Sequence, residues 1–162
     1  MAIAIAGNDF EAILEIIKQR RAHVDMESYK VPSRDTALMR ASWYGRLEEM
    51  DLLLALGADV NHHVSPSGRT ALMSAASNNK PEAISALLSW GAHINAEDAE
   101  GWTAAMVAGH AGHVPALQRL VEHGAAVRHQ SKLGATAFIV AAAANRANTA
   151  GVLMSDDISM IS

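Results

Sequence analysis

The sequence predicts an all-α solenoid, in which helix–turn–helix units stack side by side and finger-like β-turn loops join them. A threonine before an Ala- and Leu-rich segment returns every 33 or 34 residues, as Thr36, Thr70, Thr103 and Thr136. A glycine follows the first three of these threonines at a spacing of 21 residues. A fixed period of this kind is the signature of repeat arrays, whose units bury their apolar faces only against neighbours.

Each unit begins with a helix N-cap signal. The threonine hydroxyl can accept a hydrogen bond from a free N–H of the first helical turn. The first helix is short and rich in alanine, as in "TALMSAAS", so neighbouring helices can approach closely. The turn that follows contains residue types that tolerate a positive φ. These are Gly45, Asn79, Gly112 and Asn145.

A second helix carries apolar residues at helical spacing, as in Ile84, Leu87 and Leu88. We expect it to end at a left-handed C′ glycine, which is Gly57, Gly91 or Gly124. A short stretch such as "GADVN" then leads to a turn that contains Gly68 or Gly101. The columns that recur predict almost complete burial for Leu38, Leu53, Leu54, Leu72, Ala75, Leu87, Leu88, Ala108 and Leu120.

Two segments, "GRTALMSAASNNKPEAISALLSWGAHINAEDAEGWTA" and "DTALMRASWYGRLEEMDLLLALGADVNHH", resemble the ankyrin repeat. The resemblance covers nearly the whole chain, because Thr, Ala, Gly, Leu-Leu and Gly-Ala recur at the spacing of that family. It implies a single ankyrin-repeat domain over residues 1–162. The units would be a degenerate cap at about 1–33 and four recognisable repeats at 34–67, 68–100, 101–133 and 134–162.

The chain departs from the family pattern at two positions of the cap motif. The usual Thr-Pro-Leu-His of the family is Thr-Ala-Leu-Met in two units here. Met39, Met73 and Met106 therefore replace a histidine that, in the family, hydrogen-bonds between adjacent turns. We expect looser coupling between units as a result.

Composition and charge limit the kinds of partner. The formal net charge is −4, which argues against a nucleic-acid partner or an anionic membrane. No stretch reaches the roughly 18 apolar residues of a membrane span. The chain contains no cysteine, which fits a reducing compartment. We therefore expect an intracellular, cytoplasmic protein, with the nucleus as the alternative.

The residue types offer no convincing catalytic or metal constellation. His110 and His113 lie three residues apart, and His62 and His63 are adjacent, but zinc needs ligands that converge tetrahedrally. The sequence has no nucleophile elbow and no phosphate-binding glycine loop. We expect no enzyme, no catalytic residue, no metal, no cofactor and no small-molecule substrate.

The aromatic residues suggest where a protein partner would bind. None of the three tryptophans falls in a column predicted to pack between units, and Trp, Tyr and Arg most often carry binding energy at interfaces. The resemblance implies that their columns look onto the concave, partner-facing side or its rim. The candidate partner-binding residues are Trp43, Tyr44, Arg69, Asn78, Trp90, Glu100, Trp102 and His110. Alternatively, the indoles lie flat on neighbouring fingers and cover the edge of the solenoid.

The finger loops also carry charge. One finger is acidic and the next is basic, through Glu97, Asp98 and Glu100 and through Arg128, His129 and Lys132, respectively. Such a mixed surface would set the orientation and on-rate of a protein partner more than its affinity. Ordinary solvated fingertips would show the same pattern.

The sequence therefore predicts a non-enzymatic protein–protein interaction module, such as a scaffold or adaptor, that binds a protein partner. Its mechanism would be binding by a preformed concave surface with aromatic anchors inside a polar rim. The alternative is a structural subunit built permanently into a large multiprotein assembly.

Overall fold

The computed structural model of the protein describes residues 36–159, with side chains as far as Met154. The degenerate cap predicted at about 1–33 lies outside this range. The described chain forms eight helices in four pairs, and two or three residues separate the helices of each pair. Such short connections make the two helices of a pair antiparallel. The helices are α1 Ala37–Tyr44, α2 Leu47–Ala55, α3 Ala71–Ser77, α4 Pro81–Ser89, α5 Ala104–Ala111, α6 Val114–Glu122, α7 Ala137–Ala143 and α8 Ala147–Ser159.

The four pairs stack as two parallel layers of helices. The first helices α1, α3, α5 and α7 contact one another in chain order, and the second helices α2, α4, α6 and α8 do the same. Finger loops at residues 56–70, 90–103 and 123–136 join successive pairs. Among residues 36–159, Val64 and Arg69 form an isolated β-bridge and no strand is present. The predicted all-α repeat solenoid is confirmed.

The predicted turn and cap residues adopt left-handed backbone conformations. Asn79 and Asn145, which have side chains, reach φ values of 52° and 57° in the turn between the helices of a pair. Glycine occupies the same turn in the other two pairs and also follows each of the helices α2, α4 and α6. The helix ends that the repeat predicts therefore fall next to residues that can adopt the left-handed conformation.

Three of the four predicted threonine caps form. The hydroxyls of Thr36, Thr70 and Thr136 accept hydrogen bonds from the backbone N–H three residues later, at 3.2, 3.3 and 3.4 Å. The prediction is wrong for Thr103, whose hydroxyl is buried and has no hydrogen-bond partner within the described chain. Its backbone is as extended as that of the other three, with φ −97° and ψ 168°, so the difference lies in the side chain alone.

The core follows the repeated columns, with one exception. Eight of the nine residues predicted to be almost fully buried are at most 6% exposed, namely Leu38, Leu53, Leu54, Leu72, Ala75, Leu87, Ala108 and Leu120. The prediction is wrong for Leu88, which is only half-buried at the edge of the core. Leu88 is turned by about 100° from Leu87 around α4 and reaches only the edge of the core, whereas its equivalent in α2, Leu54, is 6% exposed.

The methionines that replace the family's histidine are core residues. Met39, Met73 and Met106 are each 1% exposed. At the ends of the first helices, polar contacts between successive pairs come instead from side chains just beyond these helices. Asn78 Nδ2 donates to Trp43 O at 2.7 Å, His113 Nε2 to Ser77 O at 3.1 Å and Arg146 Nε to His110 O at 3.3 Å.

Leu87→Ala is expected to destabilise the protein by about 2–5 kcal/mol, because Leu87 is fully buried and its loss leaves a cavity between pairs. Denaturant unfolding followed by circular dichroism measures this loss. Leu88→Ala serves as the neighbouring control and should cost clearly less. Equal losses at the two positions would contradict the burial described here.

The same substitution at two caps should have different effects. Thr70→Val removes a cap hydrogen bond and should cost about 1 kcal/mol. Thr103→Val removes a buried hydroxyl that has no partner, and it should be neutral or stabilising. Thermal unfolding of both variants tests the difference, and a loss at Thr103 as large as that at Thr70 would contradict it.

Candidate interaction surface

The outer side of the first-helix layer, together with the adjoining finger loops, brings together most of the predicted partner-binding residues. We call this the first-helix surface and define it by Trp43, Tyr44, Asn78, Trp102 and His110. These residues come from the end of α1, the turn after α3, the finger loop before α5 and the last turn of α5. The surface thus spans three successive helix pairs.

Trp43 and Tyr44 are the exposed aromatic end of this surface. Their side chains are 37% and 47% exposed. The Asn78 side chain bridges from the next pair to the Trp43 carbonyl, at 2.7 Å. The Arg46 guanidinium lies over the Tyr44 ring, 5.7 Å from its centroid, which is within the range of a cation–π contact. The Tyr44 ring is therefore held by a side-chain contact and the Trp43 backbone by a hydrogen bond, while part of each ring remains open to solvent.

Trp102 and His110 form the middle of the surface. Their rings meet edge to face, with centroids 5.5 Å apart and an interplanar angle of 75°. Trp102 is half-buried and also packs against the hydrophobic core. The prediction that no tryptophan packs between units is therefore wrong for Trp102. Its indole packs against α5, the helix that follows it in the sequence.

Asp98 fixes the finger loop that carries Trp102. Its Oδ1 accepts hydrogen bonds from the backbone N–H groups of Glu100 and Trp102, at 3.0 and 2.8 Å. Its own N–H donates to Trp102 O at 2.9 Å. The Glu100 carbonyl accepts from Lys132 N of the next finger at 3.0 Å, whereas the Glu100 side chain is exposed. Asp98 therefore shapes the finger, and Glu100 is left at its rim.

Arg69 stands one period before Trp102, at the base of the preceding finger loop. Its carbonyl accepts from Val64 N at 3.0 Å, which closes the isolated β-bridge. Its N–H lies 3.4 Å from Ser67 Oγ, and the residue is half-buried. These contacts fix its backbone at a position equivalent to that of Trp102.

Trp90 lies in the other layer of helices. It caps the C-terminal end of α4, and its Nε1–H donates to Asp51 Oδ1 of α2 at 2.9 Å. The side chain is 45% exposed. The structure therefore does not bring Trp90 together with the residues of the first-helix surface.

Two asparagines outside the set of predicted site residues connect successive finger loops. Asn61 Oδ1 accepts from His93 N at 2.7 Å, and Asn61 Nδ2 donates to Gly91 O at 3.1 Å. One period later, Asn95 Oδ1 accepts from Ala126 N at 2.8 Å. The recurrence of Asn at the end of "GADVN" and "GAHIN" was the signal that could have identified them.

The finger predicted to be acidic and the finger predicted to be basic lie close together at one point. His129 Nε2 lies 3.2 Å from Glu97 Oε1, so the predicted acidic and basic fingers contact each other. Over the described part of the chain, no group of three or more His, Asp or Glu side chains could hold a metal ion. Within the same part, no helix is long and apolar enough to cross a membrane.

The stacked helix pairs, left-handed caps and connecting fingers define a helical-repeat solenoid. A family model described as ankyrin repeats, in three copies, matches residues 1–98 and 95–161. The chain belongs to the ankyrin repeat family, whose members are non-enzymatic modules that generally mediate protein–protein interaction. A search of curated proteins found no match to this chain.

Trp102→Ala should reduce both stability and the order of the His110 side chain. Because the indole is half-buried on the core, we expect a loss of about 1–3 kcal/mol, below the 3–5 kcal/mol of a fully buried aromatic residue. Denaturant unfolding measures the loss, and the His110 ring protons in NMR spectra report the broken ring contact. Unchanged stability would contradict the packing of Trp102 on the core.

Proposed function

We propose that the protein is a scaffold or adaptor that binds a protein partner through the first-helix surface, which in this family is expected to be concave. The observation that carries the proposal is the exposed pair Trp43 and Tyr44, of which the Tyr44 ring is held by the Arg46 guanidinium. Aromatic side chains that are fixed before binding lose little entropy in the complex, and Trp and Tyr are enriched at binding hot spots.

The composition of the surface changes along the stack. The column that contains Trp43 holds Ser77 in the next pair, then His110 and finally Ala143. An apolar side chain of the partner would contact Trp43 and Tyr44, and polar groups would face His110 and the finger loops. This order of anchor and polar neighbours would fix the direction in which a partner lies across the repeats.

Two charged residues would lie beside this path. Arg69 and Glu100 occupy the finger loops before α3 and α5, and they carry opposite charges. At the rim of an interface such charges act mainly on orientation and association rate. We leave Trp90 outside the binding surface, because its indole is bonded to the second-helix layer. We place the interaction in the cytoplasm, in keeping with a chain that has no cysteine.

Trp43→Ala is expected to weaken partner binding by about 2 kcal/mol or more, which is roughly a 30-fold rise in Kd. Trp90→Ala is the matched control, because it removes an exposed indole of the other layer. The full chain and both variants are used first for affinity capture from the native source and then for calorimetry with the purified partner. Equal binding by wild type and Trp43→Ala would overturn the proposed surface.

The alternative function is that of a structural subunit held permanently in a large assembly. Production of the full chain with and without its captured partner separates the two functions. A chain that is folded and soluble alone, and that exchanges its partner, supports the adaptor. A chain that aggregates unless it is co-produced with the partner supports the subunit.

A further inference from the structure

The second helices of the first two pairs carry negative charge on their outer face. Helices α2 and α4 contain four carboxylates and neither Lys nor Arg. Three of the four are exposed, namely Glu48, Asp51 and Glu82. The fourth, Glu49, is half-buried and lies 3.6 Å from the Arg46 guanidinium at the start of α2. The exposed charges of these two helices are therefore of one sign.

The two cations that precede these helices in the sequence pack at the turns. The Arg46 guanidinium lies over the Tyr44 ring, 5.7 Å from its centroid. A Cβ added to Gly45 would lie 2.9 Å from Lys80 Cδ, so the Lys80 side chain runs along the turn of the preceding pair. Both cations are thus engaged at the end of the pairs where the turns lie, and the carboxylates determine the charge of the outer face.

The junction between α2 and α4 is more open than the next one. Helices α2 and α4 approach each other less closely than α4 and α6 do. Across the later junction, Arg119 Nη1 of α6 donates to Ser85 Oγ of α4 at 2.7 Å. The equivalent residues one pair earlier are Ala86 and Asp51, and an alanine side chain is too short to make this contact. The outer face between α2 and α4 is therefore shaped by other side chains.

Trp90 supplies the apolar part of this outer face. Its Nε1–H donates to Asp51 Oδ1 at 2.9 Å, which fixes the indole across the junction while the side chain remains 45% exposed. Helix α4 has a described pair on either side, so this exposure does not come from an end of the stack. An indole whose N–H is already bonded offers its ring face to an apolar or cationic group. We call Glu48, Asp51, Glu82 and Trp90 the α2–α4 patch.

We propose that the α2–α4 patch is a second docking surface, and that its occupant is a basic amphipathic segment of a protein partner. Charge complementarity selects this occupant, because Lys or Arg side chains would face carboxylates on both helices, whereas acidic side chains would meet like charges. The Trp90 indole would contact an apolar side chain or the stem of a Lys or Arg. The patch belongs to the second-helix layer, so it is separate from the first-helix surface and does not depend on the function proposed for that surface.

Binding of a defined peptide to the full chain tests the chemistry of the occupant. The probe is a fluorescently labelled amphipathic peptide of Leu and Lys, and its control has Glu in place of every Lys. Fluorescence anisotropy should show saturable binding of the Lys peptide and no binding of the Glu peptide. In NMR spectra, the Lys peptide should shift the indole N–H signal of Trp90, assigned with Trp90→Phe, and leave that of Trp43 in place.

Variants of the full chain test the location. Trp90→Ala should weaken binding of the Lys peptide by about tenfold or more, with unchanged circular dichroism. Glu48→Gln combined with Glu82→Gln should weaken it by about three- to tenfold and reduce its dependence on salt. Glu97→Gln combined with Glu100→Gln makes the same change in net charge on the finger loop before α5, and it should change the affinity less than about twofold.

Several results would overturn the proposal. These are no saturation by the Lys peptide up to about 1 mM, wild-type affinity in Trp90→Ala, and equal weakening by the two double variants. Self-association in sedimentation velocity that Trp90→Ala abolishes would identify a second copy as the occupant instead. Tighter binding of the Lys peptide after the basic stretch from Lys18 to Arg21 is neutralised would identify that stretch of the chain itself as the occupant.

Discussion

The close approach of successive first helices is the constraint on which the rest of the structure depends. Ala41, Ala75, Ala108 and Ala141 are all completely buried at the equivalent position of α1, α3, α5 and α7. A larger side chain at this fully buried position would force its neighbours or the helices themselves to shift. Each pair buries its apolar columns against its neighbours. The spacing of the first helices therefore also sets the distance between finger loops and the distance that a polar side chain must span between two pairs.

The polar junction contacts follow from that spacing. Asn78, His113 and Arg146 reach a carbonyl at the end of the preceding first helix, at 2.7, 3.1 and 3.3 Å. Three different side chains therefore satisfy equivalent groups, which would otherwise be helix-end carbonyls without an intrahelical partner. Apolar packing by the buried methionines and hydrogen bonds at the helix ends act at separate places on the same junction.

The sequence was sufficient to predict the fold because equivalent residues recur every 33 or 34 positions. The residue type that recurs at a position predicts whether that position is buried, caps a helix or forms a turn. The sequence was less informative about the direction in which an individual side chain points. Leu88 is half-buried although its equivalent one period earlier, Leu54, is 6% exposed. Thr103 has the cap backbone without the cap hydrogen bond, and the long indole of Trp102 reaches the core from a finger. The contact between Asn78 and Trp43 joins residues 35 positions apart, so it depends on the stacking distance itself.

Buried and exposed columns are separated within each first helix. In α1, Ala41 is fully buried while Trp43, two residues later, is 37% exposed. Two residues are about 200° apart around a helix, so one side chain faces the stack when the other faces away from it. The column of Ala41 is alanine in all four described pairs, whereas the column of Trp43 changes to serine, histidine and alanine. The exposed column can therefore vary from pair to pair without altering the helix contact that holds the pairs together.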